Sequence, residues 1–197
     1  MSLTALVVDN RDSFVFNLVH EVERLGISCT VVRGGTGLDR MEALVDELVP
    51  CLVLLSPGPG RPEEAGVMVP FLRKRLPIPV LGVCLGMQAM AVATGGRIGP
   101  AERPLHGRSS LIEHGGDPLF AGIPSPFPGA RYHSLVVTDL GEELHAVASS
   151  RDEETGERLV MGLRHVSLPW YGLQFHPESL LTPFGPRIVQ NLVSEIV

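Results

Sequence analysis

The sequence predicts an α/β protein: an open mixed sheet with helices on both faces, extended by antiparallel strands. Three observations carry this. Strand-like and helix-like runs alternate through the first half, which is the pattern of a parallel sheet covered by helices. The second half is a series of strand-like runs separated by turns. The chain is 44% hydrophobic but only 5% aromatic. Its core must therefore be mainly Val, Leu, Ile and Ala, as in buried parallel strands.

The elements follow in order. Leu3 to Val8 is an apolar run that stops at Asp9-Asn10, a first strand. Ser13 to Leu25 carries Phe14, Leu18, Val22 and Leu25 at helical spacing, with Asp12 or Ser13 as candidate cap and Gly26 as the stop. Ile27 to Val32 is a second strand, followed by a glycine-rich loop at 34–37 and a helix from about Asp39 to Leu48. Cys51 to Leu55 is a third strand and runs into Ser56-Pro57-Gly58-Pro59-Gly60. Glu63 to Leu76 reads as partly helical, broken near Pro70. Pro79 to Val83 is a buried strand, and the helix after it ends at Thr94-Gly95-Gly96. Ser109–Glu113, Ala130–Val137, Leu144–Ser149 and Leu159–Arg164 read as the antiparallel extension. Tyr171 to Phe175 is another apolar run, and Pro186 to Val197 a closing helix. Residues 152–157 read as a charged, solvated hairpin turn. No repeat or linker interrupts the 197 residues, so one domain over 1–197 is expected.

Composition narrows the function classes. A net charge of −6 argues against a nucleic-acid partner. No apolar run of 18 residues exists, so no membrane span is expected, and the start shows no signal-peptide pattern. Three widely spaced cysteines, Cys29, Cys51 and Cys84, form neither a disulfide framework nor a zinc pattern. A reducing cytoplasmic setting follows. Cys29 and Cys51 read as core residues.

Cys84 is different. It sits in Gly82-Val83-Cys84-Leu85-Gly86-Met87-Gln88, between the fourth strand and its helix. A strand-to-helix turn of this kind is the nucleophile elbow of hydrolases. The helix N-terminus favours a thiolate there, and flanking glycines permit a sharp turn. Such a nucleophile needs a base and the base needs an orienting group. Gln174-Phe175-His176-Pro177-Glu178-Ser179 supplies both. In extended backbone His176 and Glu178 would point to the same side. The Gly58-Pro59-Gly60 loop would share an edge of the sheet with Cys84. A glycine N–H of that loop and the Leu85 N–H are candidate donors to an oxyanion.

These segments, with Asp9-Asn10-Arg11-Asp12-Ser13-Phe14 and Tyr132-His133-Ser134-Leu135-Val136, resemble the class I (triad) glutamine amidotransferases over nearly the whole chain. Within that class the likeness is to the glutaminase subunits of anthranilate and aminodeoxychorismate synthases. The first motif, Tyr132 to Leu135 and Leu105-His106-Gly107-Arg108 carry that finer likeness. The resemblance implies a flavodoxin-like open mixed sheet. It implies hydrolysis of L-glutamine to glutamate and ammonia by Cys84, His176 and Glu178, with a thioester on Cys84. Gly58, within the Gly58-Pro59-Gly60 loop, and Leu85 would hold the oxyanion, and Gln88, Ser134 and Leu135 the amino-acid end of glutamine. The ammonia would pass to a chorismate-using synthase large subunit. No cofactor and no metal are implied in this subunit.

Two departures stand out. Met87 replaces a histidine usual in this branch, and Arg11 replaces a tyrosine or aliphatic residue near the implied partner interface. Other readings are a glutaminase subunit for a different acceptor synthase, a catalytically silent partner-binding module, and an independent gamma-glutamyl cysteine hydrolase.

Overall fold

The structure is a computed structural model that describes residues 3–102, 107–152 and 154–197. Leu105 and His106, part of one segment singled out above, lie outside those residues, as do Met1, Ser2 and Glu153.

Five parallel strands form half of a nine-stranded sheet: β1 (Thr4–Asp9), β2 (Ser28–Arg33), β3 (Leu52–Leu55), β4 (Val80–Val83) and β11 (Trp170–Leu173), in the order β2-β1-β3-β4-β11. The chain reverses its direction of travel across the sheet between β1 and β3. Loops at the carboxyl ends of the strands open into a crevice at such a point. Alternation along each strand divides the core. Ala5, Val7, Leu52, Leu54, Leu81 and Val83 face one side; Leu6, Val8, Val53, Leu55 and Val80 face the other. Helices α1 (Val15–Glu23) and α5 (Gly185–Ile196) cover the first side. Helices α2 (Leu38–Leu48), α3 (Met68–Leu72) and α4 (Leu85–Ala93) cover the second. β1, β3, β4 and β11 are buried on both faces, so their sequences read as largely continuous apolar runs, while β2 is a half-exposed edge strand.

The other half is antiparallel: β10 (Arg158–His165), β9 (Leu144–Arg151), β6 (Arg108–His114) and β7 (Phe127–Arg131) continue outward from β11. This half curls back on itself. Ala130, near the end of β7, pairs with His176, three residues beyond β11. A separate two-stranded sheet joins β5 (Arg97–Pro100) to β8 (Leu135–Asp139).

Several sequence expectations are corrected. The run 130–137 is two strands in two sheets, because the chain leaves the large sheet after Arg131. β5 was not expected; its Gly-Pro content hides a short edge strand. Pro70 does not break a helix but lies in the first turn of α3, where no amide donor is needed. The preceding residues 62–64 form one 3-10 turn. No side chain caps α1; Asp12 instead accepts from the Phe14 N–H just ahead of it. Asp152 is buried rather than solvated, because its Oδ1 accepts from the Glu154 and Thr155 N–H groups to close its turn.

Candidate active site

β4 delivers Cys84 to the crevice. The Cys84 N–H donates to the Leu173 carbonyl at 2.7 Å, which extends the β4–β11 pairing by one residue. The chain then turns at once into α4, and Cys84 takes φ 52° and ψ −100°. A non-glycine residue held there stores strain of about 1–3 kcal/mol. The flanking glycines make the turn possible. A Cβ on Gly86 would lie 2.3 Å from the Leu55 carbonyl oxygen, and one on Gly82 2.6 Å from the Gly86 backbone. The Leu85 N–H lies in the first turn of α4, where no intrahelical acceptor exists.

His176 and Glu178 come together as expected, but by another geometry. They do not lie on an extended strand. The Ser179 N–H donates back to the His176 carbonyl and closes a turn, with Pro177 at its first central position. Within it His176 Nδ1 donates to Glu178 Oε1 at 2.6 Å, with both side chains almost wholly buried. Burial alone would lower the His176 pKa. Contacts with Cys84 and with Glu178 outweigh it, and the ring is pushed up to about 10. His176 Nε2, the nitrogen left over, has no partner in regular hydrogen-bond geometry. Such contacts between catalytic groups tighten when a substrate arrives.

Neighbours from other segments of the chain hold this pair. Thr182 Oγ1 donates to the His176 carbonyl at 2.7 Å and accepts from the Ala130 N–H at 2.9 Å. The Tyr132 ring meets the His176 ring edge-on at 4.9 Å, and its hydroxyl lies 3.3 Å from Ser179 Oγ. Gly185 opens α5 so close to the turn that a Cβ would sit 1.7 Å from the Pro177 carbonyl oxygen. Asp12 faces the same pair. Burial and then the Glu178 charge raise its pKa, against a smaller lowering by His176. Tyr132 and Asp12 lie in segments singled out from the sequence; Thr182 and Gly185 do not.

Cys84, Leu85 and Gln88 line a cleft of about 380 Å³ together with Gly58, Pro59 and Gly60 on one side and Ser134 and Leu135 on the other. The volume suits a small ligand. Gly58 fits only as glycine: a Cβ there would lie 2.7 Å from the Asn10 backbone oxygen and 3.0 Å from the Leu85 side chain. The expected backbone contacts are partly taken up within the protein. The Ser134 carbonyl accepts from the Ala101 N–H at 2.9 Å, and the Leu135 carbonyl from Gln88 Nε2 at 3.0 Å. Met87 is fully buried and packs toward Gly172, away from the cleft. Arg11 stands in left-handed backbone at φ 60° and lines a different hollow, with Arg33 and Gly34. No group of three metal-ligating side chains occurs among the described residues, and no helix there is long and apolar enough to cross a membrane.

A thiol on an elbow, an imidazole beside it and a carboxylate behind the imidazole can attack a carbonyl carbon and move the proton this requires. The family described as glutamine amidotransferase class-I matches residues 6–196, and the chain belongs to that family. Among its relatives, anthranilate synthase component 2 of Thermus thermophilus is 46% identical, over 98% of this chain and 93% of its own length. The aminodeoxychorismate synthase of Streptomyces griseus is 45% identical over 96% of this chain, which matches 25% of that longer protein. A solved structure from Thermoplasma acidophilum, assigned to a GMP synthase, superposes with a TM-score of 0.84. It covers all of this chain and 94% of its own, at 24% identity, and so supports the fold.

Proposed function

We propose that this chain is the glutaminase subunit of a chorismate-using synthase, of the anthranilate or aminodeoxychorismate kind. The observation that carries the reading is the left-handed Cys84 elbow beside a His176–Glu178 pair bonded at 2.6 Å. The names of these two relatives support the choice of synthase.

Cys84 Sγ attacks the side-chain amide carbon of L-glutamine. The carbonyl oxygen takes the negative charge and is held by the Leu85 and Gly58 N–H groups. The imidazolium of His176 gives its Nε2 proton to the amide nitrogen, ammonia leaves, and a thioester remains on Cys84. His176 then takes a proton from water as the water attacks that carbon. Collapse expels Cys84 and releases glutamate. Glu178 keeps the ring oriented and stabilises its charge. Gln88, Ser134 and Leu135 hold the amino-acid end. Glutamine and water give glutamate and ammonia.

A docking partner is supported by the back of the site. Phe14, Leu180 and Leu181 are exposed around a second cleft of about 360 Å³ that reaches Glu178. Apolar side chains gathered on one exposed patch mark an interaction surface.

The test is glutamate release by the purified chain, alone and with chorismate-using large subunits added one at a time. Stimulation by one of them, with ammonia incorporated into its product, is expected. Cys84→Ser should abolish glutamine use while the complex still uses added ammonium. Equal activity with and without every large subunit would favour an independent hydrolase. Glutamine-dependent turnover in Cys84→Ser would refute the assigned nucleophile.

A further inference from the structure

The Gly58 N–H, one of the two oxyanion donors, belongs to a peptide that local geometry leaves free to turn over. Pro57 fixes its own φ but not the rotation that swings its carbonyl, and Gly58 tolerates most values on the other side. The residue before this peptide is placed to choose its orientation. Ser56 follows β3 directly, is fully buried, and its N–H donates to the Val8 carbonyl of β1 at 3.1 Å. Its Oγ lies 2.9 Å from the Asn10 backbone nitrogen, 3.4 Å from Asn10 Nδ2 and 2.6 Å from the Pro57 carbonyl oxygen.

The partners fix the direction of these bonds. The Asn10 backbone N–H can only donate. So can Nδ2, and the Ser56 carbonyl, an acceptor 3.3 Å from it, settles which way that amide faces. A hydroxyl has two lone pairs and a single hydrogen. Ser56 therefore accepts from Asn10 and spends its hydrogen on the Pro57 carbonyl. The Pro57–Gly58 peptide is planar and trans, so its N–H points away from its carbonyl. With the carbonyl drawn inward to Ser56, the Gly58 N–H faces the cleft that Gly58 lines. That N–H has no acceptor among the described residues. Turned over, the peptide would set a carbonyl oxygen against the developing negative charge. Its N–H would meet a hydroxyl oxygen whose lone pairs Asn10 already fills.

We propose that Ser56 is a positioning residue for the glutaminase reaction: its hydroxyl pins the Pro57 carbonyl so that the Gly58 N–H is aimed at the oxyanion before substrate arrives. The inference rests on the glutamine reading above and adds what orients the second oxyanion donor. Ser56 itself does not line the cleft. A donor aimed at charge that develops only in the transition state raises kcat and leaves ground-state binding almost unchanged.

The experiment compares wild type and Ser56→Ala, each with the large subunit that stimulates glutamate release. A single hydrogen bond is worth up to about tenfold, and loss of a whole oxyanion donor about 100- to 1,000-fold. The Ser56→Ala kcat should fall by about tenfold or more within that limit, with KM for glutamine little changed. Alkylation of Cys84 by iodoacetamide is the control. There Sγ bonds to a saturated carbon as iodide leaves, and no oxyanion forms. Its rate, read from the mass of the peptide carrying Cys84, should be unchanged. An unchanged kcat would overturn the inference. So would a fall in alkylation matching the fall in turnover, which would mark a general loss of structure. Failure of the wild type to release glutamate would overturn the glutamine reading as well. A second measurement needs no change at Ser56. In nitrogen-15-labelled Cys84→Ser protein, glutamine should move the Gly58 amide proton downfield as the substrate carbonyl takes up that N–H. A Gly58 amide that stays in place while Gln88 resonances move would overturn the proposed orientation.

Discussion

Gly185→Ala sets two physical effects against each other. Gly185 is the first residue of α5, and alanine is the better helix former by about 1 kcal/mol. Local propensity therefore expects a more stable protein. Packing expects the reverse. The new Cβ would lie 1.7 Å from the Pro177 carbonyl oxygen, and both sides of that contact are backbone. Ordinary contact needs about 3.5 Å, so the helix and the turn must separate by well over an ångström. Overpacking of this kind costs about 1–3 kcal/mol, and here it exceeds the propensity gain. Pro177 stands between His176 and Glu178, so the shift also falls on the 2.6 Å bond that orients the ring. A displacement of about 1 Å at a reacting group costs on the order of 100-fold in rate. Thermal unfolding and glutaminase turnover, measured side by side, check both halves. Gly35→Ala is the control, since no atom lies within 4 Å of its built Cβ. A Gly185→Ala protein that melts at or above the wild-type temperature with unchanged turnover would refute the packing argument.

Three further outcomes are expected. At position 84 glycine should be at least as stabilising as alanine, the reverse of the usual order, because glycine relieves the left-handed backbone; denaturant unfolding of Cys84→Gly and Cys84→Ala decides it, and a clearly more stable alanine variant would count against strain at the elbow. The His176 ring binds its proton more tightly folded than unfolded, rising from 6.5 to about 10. Its stabilising contribution is therefore full below about pH 6.5 and is lost as pH rises through about 10; melting temperatures of wild type and His176→Gln across that window should converge, and a constant difference would contradict the shift. Thr182→Val removes a hydroxyl that serves both the His176 carbonyl and the Ala130 N–H. Stability should fall by about 2 kcal/mol, with turnover falling too, and a neutral effect on both would show that the strap does not hold the histidine.

The family and the parallel half were legible because they rest on local signals. β1, β3 and β4 are uninterrupted apolar runs, and each ends in a motif whose chemistry belongs to its own residues: Asp9-Asn10, Gly58-Pro59-Gly60, Gly82 to Gln88. A strand-to-helix turn around Cys84 could be read from glycine spacing alone, and the structure shows why: Gly82 lets the helix start against its own strand, and Gly86 lets it lie against Leu55. What the sequence could not disclose depends on segments far apart in the chain. The curl of the antiparallel half brings Ala130 to His176, and nothing in either segment encodes that meeting. The Tyr132 to Leu135 segment was marked as a motif, but the meeting of its Leu135 carbonyl with Gln88 Nε2 follows only from where the chain crosses between the two sheets. Residue types determined which groups could react. Tertiary packing decided which hydrogens are already spent, because a buried donor is committed to the one acceptor within its reach.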